Sequence, residues 1–192
     1  MTRIARAAAV IRLAAYTAAA SVALAFSAPA QNIVGCDQLF AALDRQVATP
    51  YHAYLTTGAG TDVARNGGKP RHSEIIWTGT AKYISRNGKW VRLDMTPREM
   101  LQQEKETRQN PKFSAQCHRV ADTALNGEPV TVWTSHSTTE VGVMDERLWI
   151  SRGSGRVLQM ELTEDVGGGA PGKTRMLARY DYHDVQPPRG SP

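Results

Sequence analysis

The chain is 192 residues long, with 23 lysines and arginines against 18 aspartates and glutamates and a formal net charge of +5. Arg3, Arg6 and Arg12 all stand within the opening stretch, so residues 31–192 keep 20 basic side chains (23 less these three) against all 18 acidic ones. That near balance excludes a nucleic-acid partner held on a clustered basic face, and the length suits one domain with a core of its own.

The three arginines precede an alanine-rich apolar run from Leu13 to Phe26, and small residues follow at Ala28 and Ala30. This pattern predicts a secretory signal peptide over residues 1–30 and a mature domain over 31–192. The run spans 14 residues, short of the roughly 20 that a membrane-crossing helix needs. No second apolar run approaches membrane length, so no transmembrane segment is expected in the mature chain. The expected location is the periplasm or the exterior.

Two cysteines follow, Cys36 and Cys117. An even count in an exported chain predicts a disulfide between them. The alternative is a lipid anchor on Cys36, because isoleucine, valine and glycine precede it as in lipoprotein processing sites. Against that reading, polar Gln31 and Asn32 interrupt the apolar approach, and Cys117 would lack a partner.

Leu39, Phe40, Leu43 and Val47 recur at helical spacing, which predicts an amphipathic helix ended by Pro50. The period then changes to two. EIIWTGTAKYIS reads as one strand with Ile75, Trp77, Ala81 and Tyr83 on one face, and Asn87-Gly88 turns it into WVRLDM, where Val91, Leu93 and Met95 share a side. TPREMLQQEKETRQNP predicts a polar surface helix over 97–109, capped by Thr96 with Glu99 and stopped at Asn110-Pro111. A second hairpin turns at Asn126-Gly127 and a third at Arg152 to Gly155; Gly167 to Lys173 reads as a flexible link, and RMLARYDYHDV as a last strand. The sum is an α+β fold: a curved antiparallel sheet of about 7–11 strands with helices over its concave face.

Catalytic signatures are missing. His52, His72, His118, His136 and His183 show no metal-ligand spacing, and no nucleophile elbow, phosphate loop or dinucleotide fingerprint occurs. Asp181 and His183 share a strand face but have no nucleophile next to them in sequence. No catalytic residue, metal ligand or cofactor is therefore assigned. A cluster of His183 or His136 with carboxylates in a cleft would reopen an enzymatic reading. Trp77, Trp90, Trp133 and Trp149 all fall in strands, with Trp90 opposite in phase to Val91 and Leu93.

A signal peptide, an amphipathic first helix, an antiparallel meander broken by a short helix, and the closing run LWIS, GRVLQMEL, ARYDYHDVQPP together resemble the periplasmic lipoprotein carriers of the Lol type, the LolA/LolB-like superfamily. The resemblance implies an incomplete barrel whose apolar hollow, lidded by helices, shelters acyl chains. The corresponding expectation is a non-catalytic exported protein that binds an apolar ligand or lipoprotein. Ile75, Trp77, Tyr83, Val91, Leu93 and Met95 are its expected wall, and the helix over 97–109 is a candidate flap at the mouth. The alternative is an envelope interaction or sensor protein, partnered by another envelope protein and without a small-molecule ligand.

Overall fold

The computed structural model describes residues 33–58, 69–86, 88–140, 142–166 and 174–189. The expected signal peptide, Asn87 and the expected link at Gly167 to Lys173 lie outside them. Among the described residues, no helix is long and apolar enough to cross a membrane.

Ten strands form one sheet in the order β1-β6-β7-β8-β9-β10-β2-β3-β4-β5. They are β1 (Ile33–Val34), β2 (Tyr51–Gly58), β3 (Arg71–Trp77), β4 (Lys82–Arg86), β5 (Lys89–Leu93), β6 (Ser114–Leu125), β7 (Glu128–Thr138), β8 (Gly142–Ser151), β9 (Val157–Val166) and β10 (Thr174–Asp181). All pairings are antiparallel except the short β1–β6 contact. Among the described residues, helices α1 (Asp37–Ala48) and α2 (Pro97–Gln109) accompany the sheet. The curved, open α+β sheet implied by the resemblance to Lol-type carriers is what the chain builds.

The connection between β5 and β6 explains the position of α2. Eight strand steps at about 4.8 Å put β5 and β6 roughly 38 Å apart along the sheet, whereas a helix of α2's length extends only about 20 Å. With only short links at either end, α2 runs as a chord beneath the arc of the sheet. The capping box expected at its start is present: the Thr96 N–H donates to Glu99 Oε2 at 2.7 Å, and the Glu99 N–H donates to Thr96 Oγ1 at 3.2 Å. No residue of α2 is fully buried, so helix propensity and capping hold it more than packing does.

The predicted stripe of α1 faces the sheet. Leu39 and Ala42 are buried with Phe113, Trp133, Leu148, Ile150 and Val157, and Phe40 and Leu43 pack at the edge of this core. The Cys36–Cys117 disulfide pins the start of α1 to β6. With its sulfur bonded to Cys117, Cys36 is not available for a lipid thioether, and the lipid-anchor alternative is set aside.

Gly35 makes the approach to the disulfide sterically feasible. Its φ is +69°, and a Cβ there would sit 2.8 Å from the carbonyl oxygen of Cys117. Gly35→Ala combines the left-handed backbone penalty with a clash against main chain, and an expected loss of about 2 kcal/mol follows. Urea unfolding of the variant measures it; a loss under about 0.5 kcal/mol would show that the segment shifts freely.

The sequence reading needs two corrections here. EIIWTGTAKYIS is not one strand: β3 stops at Trp77, Thr78–Ala81 turns the chain with Gly79 at φ +88°, and β4 starts at Lys82. Trp77 therefore pairs with Lys82, and Tyr83 pairs with Ile76, so Trp77 and Tyr83 face opposite sides. In addition, Tyr51–Gly58, not recognised as a strand, is β2, the element that joins β10 to β3.

Candidate functional site

The register sorts side chains between the two faces. From β7 through β2 the concave face carries Ser135 opposite Glu146, Leu148 opposite Met160, Met160 opposite Ala178, and Tyr180 opposite Ala53. It continues through Tyr51 opposite Trp77 and Lys82 opposite Leu93 to Ile84 opposite Val91 at the far edge.

Between this face and the two helices lies a hollow of about 360 Å³, within the range of small-molecule sites. Its size follows from residue choice. Beneath the helices the sheet presents the small side chains of Ala115, Ser135 and Ser137 to a space also lined by Phe40 and Leu43 of α1 and Met100 of α2. Where the facing residues are large, as at Leu148 and Trp133, the same interval is filled core. Phe113, Met144 and Met160 complete a mainly apolar wall. The methionines lend that wall adaptability, since an unbranched thioether repacks readily.

Polar groups enter the hollow at two places. Deep on the sheet, Ser135 Oγ donates to Glu146 Oε2 at 2.7 Å. Burial pushes the Glu146 carboxyl above its ordinary range, the Ser135 hydrogen bond partly opposes this, and the charge of Glu104 adds to the rise. Nearby, burial raises the Tyr180 phenol to about 12, with a hydrogen bond from Gln46 pulling the other way and Glu146 adding to the shift. Tyr180 stands edge-on to Tyr51, ring centroids 5.4 Å apart.

At the helix side, Arg108 Nη1 lies 2.8 Å from Asp44 Oδ1 of α1, and its Nη2 lies 3.7 Å from Glu104 Oε2. The guanidinium carbon sits 4.4 Å from the centroid of the Phe40 ring. These contacts clip the otherwise weakly held α2 to α1 over the hollow.

Of the six residues expected to form a wall, Ile75, Trp77, Val91 and Leu93 face the concave side. Ile75 and Met95 pack beside the buried cluster of Tyr51, Ala53 and Trp77. Trp77 is fully enclosed, and its Nε1 donates to the Val47 carbonyl at 2.8 Å. Val91 and Leu93 are exposed near the sheet edge. Tyr83 is buried on the convex side with Ile76 and Ala81, where Trp90 and Val185 also pack. The hollow itself is lined by other side chains, with Tyr51, Met100 and Tyr180 shared between it and the Trp77 cluster. Phe40, Leu43 and Val47 were legible as a helix stripe; Met144, Met160 and Glu146 were legible only as members of alternating strands.

Histidine–carboxylate pairs lie elsewhere. His136 Nδ1 is 2.7 Å from Asp145 Oδ1 on exposed strand surface. Asp181 Oδ1 accepts from the His183 N–H and lies 2.9 Å from its Nδ1. That pair borders a cleft of about 220 Å³ with Glu128 and Arg179, but the His183 ring is 93% exposed. Among the described residues, the cleft brings no serine, threonine or cysteine to it, and the Tyr182 hydroxyl is committed to the Val157 carbonyl at 2.6 Å. Among the described residues, no cluster of three or more candidate ligands is arranged to hold a metal ion.

No family model and no curated protein matches the chain. Among solved structures it is similar to LprF from Mycobacterium bovis, at 10% identity and TM-score 0.41, over 81% of this chain and 96% of that one. It is also similar to MucB, whose structure was determined in complex with MucA(peri), at 12% identity and TM-score 0.43, over 80% of this chain and 59% of that one. A DUF1329 family protein from Desulfovibrio piger matches at 7% identity and TM-score 0.26, over 82% and 96% of the two chains. Likenesses this distant transfer no role, and none is taken from them.

Proposed function

We propose that this is a non-catalytic exported protein that holds an apolar chain, such as a lipid or lipoprotein acyl group, in the hollow between its curved sheet and its two helices. The observation that carries the reading is the hollow itself: about 360 Å³ of mainly apolar space under α1 and α2, in a protein whose neighbouring core is closely filled. Binding energy comes from removing methylenes from water, roughly 0.8 kcal/mol each. Eight of them would supply about 6 kcal/mol before the cost of ordering the chain is subtracted.

The disulfide supports export, since such bonds persist in oxidising compartments. It is consistent with removal of residues 1–30 as a signal peptide. Ile75, Met95, Val91 and Leu93 offer the apolar continuation for a chain longer than the hollow, with Trp77 supporting that floor from within. Tyr83, on the convex side, has no part in it. Because α2 buries no residue completely, it is the element that moves to admit the chain.

Filling the hollow tests this reading. Met160→Trp, or Met144→Trp on the adjacent strand, is expected to weaken binding of a long-chain fluorescent lipid probe at least about tenfold while leaving thermal stability nearly unchanged, because the added ring enters empty space. Unchanged probe affinity in both variants would remove the hollow as the binding site. A protein partner co-purifying with unliganded protein, together with no lipid binding, would favour the alternative of an envelope interaction module.

A further inference from the structure

The polar groups inside the hollow define what kind of head an apolar ligand carries. Resting on the reading of the hollow as a chain-binding site, we propose that it selects amphiphiles with a cationic amine head, seated between Glu146 and Glu104, over anionic fatty acids.

Glu146 on β8, Glu104 and Arg108 on α2 all line the hollow, and Asp44 on α1 pairs with Arg108. Lys82 feels the charge of Glu104 from the concave face of β4, though burial lowers its basicity. Three carboxylates thus face one guanidinium and one partly desolvated ammonium. An incoming carboxylate adds to this excess of acidic groups in a low-dielectric space, whereas an ammonium relieves it.

The state of each partner points the same way. Arg108, the cation lining the hollow, is engaged: Asp44 at 2.8 Å, Glu104 at 3.7 Å and the Phe40 ring beneath it. Seating a fatty-acid carboxylate there sets it beside the two carboxylates that already face the guanidinium. Glu146 is the complementary case. It is recessed among apolar side chains, and among the described residues Ser135 is its one side-chain hydrogen-bond donor, acting on Oε2. Its Oε1 is left to accept from a ligand. A charge-assisted N–H···O bond to it favours the ionised carboxyl and offsets a desolvation that the Ser135 hydrogen bond opposes only in part. Ser137 and Gln46, both lining the same space, supply further acceptor oxygens for the remaining N–H groups of an alkylammonium.

One observation competes. Arg108 Nη2 is buried without a hydrogen bond of good geometry, and an anionic head would satisfy it. The two outcomes separate cleanly in a series with one chain and three heads: dodecylamine, dodecanol and dodecanoate, titrated against the disulfide-bonded protein by displacement of an uncharged fluorescent probe at neutral pH and low salt.

Dodecylamine is expected to bind about tenfold or more tightly than dodecanoate, with dodecanol between them, as a hydrogen bond to a charged group implies. Glu146→Gln, which keeps the shape and the Ser135 contact, is expected to erase most of that preference while leaving dodecanol affinity within about twofold. Glu104→Gln on the exposed helix, which does not endanger folding, is expected to reduce the preference by a smaller factor. Equal or tighter binding of dodecanoate overturns the proposal and assigns the head to Arg108. A preference that survives both variants overturns it as well. Failure of all three probes to displace the dye removes the chain-binding reading together with this inference, while tight but head-independent binding sinks the inference alone.

Discussion

Removing the disulfide in a Cys36→Ala, Cys117→Ala double variant is expected to cost roughly 4–5 kcal/mol, the entropy released to the unfolded chain when a cross-link of this span is lost. The cysteines are 81 positions apart, so the closed loop contains α1, β2 to β5 and α2. Typical domains have only about 5–15 kcal/mol in total, and a fall in Tm of about 10 °C or more accompanies such a loss at this size. Both cysteines are almost completely buried, and alanine avoids introducing a buried hydroxyl that serine would leave to be satisfied. The functional consequence follows from position. The bond ties the start of α1, one wall of the hollow, to β6, which carries Ala115 in the opposite wall. Without it the walls are joined only through noncovalent packing, so affinity for an apolar probe falls along with stability. Equilibrium urea unfolding of oxidised, reduced and double-variant protein measures the effect. A difference below about 1 kcal/mol would mean that the unfolded chain is already held compact by other means. Intact mass that rises by two hydrogens on reduction, with no acyl addition, checks the sulfur chemistry directly.

Local signals in this chain were legible wherever a few adjacent residues determine the outcome. The stripe of Leu39, Phe40, Leu43 and Val47 gave α1, and Thr96 with Glu99 gave the start of α2. Asn126-Gly127, with both residues at positive φ, gave the β6–β7 hairpin. β2 was harder because its partner β10 lies far along the chain, and no short turn announces that pairing. The break after Trp77 was hidden because Trp77, Ala81 and Tyr83 keep even spacing across it, as residues on one face of an unbroken strand would. The four-residue turn sets Trp77 opposite Lys82, and from that point the parity of the faces reverses.

The hollow was legible least of all. Whether apolar side chains from two layers meet or leave a gap depends on residues distant in sequence: Ala115 and Ser137 below, Phe40 and Leu43 above. Periodicity marks a face as apolar but carries no information about the volume across from it. For the same reason Glu146 passed unnoticed. As the acidic member of GVMDERLWIS it reads as one more solvent-facing charge beside Asp145, yet Asp145 pairs with His136 on the surface while Glu146 turns inward to Ser135.

Trp77 is where a wall residue and a core residue make opposite predictions. It is completely enclosed, stands between Tyr51 and Lys82 in the register, and its indole N–H caps the Val47 carbonyl near the end of α1 at 2.8 Å. Trp77→Ala removes the largest fully buried side chain among the described residues and leaves a cavity, so a loss of about 3–5 kcal/mol is expected. Trp77→Phe retains most of the ring volume but strands the Val47 carbonyl, for an expected cost of about 1–3 kcal/mol. The graded series separates packing from hydrogen bonding, and neither part depends on ligand. If Trp77 instead lined the binding space directly, Trp77→Phe would change probe affinity by more than it changes stability, and saturating probe would shift the Tm of wild type far more than that of the variant. Equal ligand-induced shifts in the two proteins, on a lowered baseline for the variant, are the expected result, because the indole supports the floor beside the hollow and the link from β3 to α1 without touching what the hollow holds.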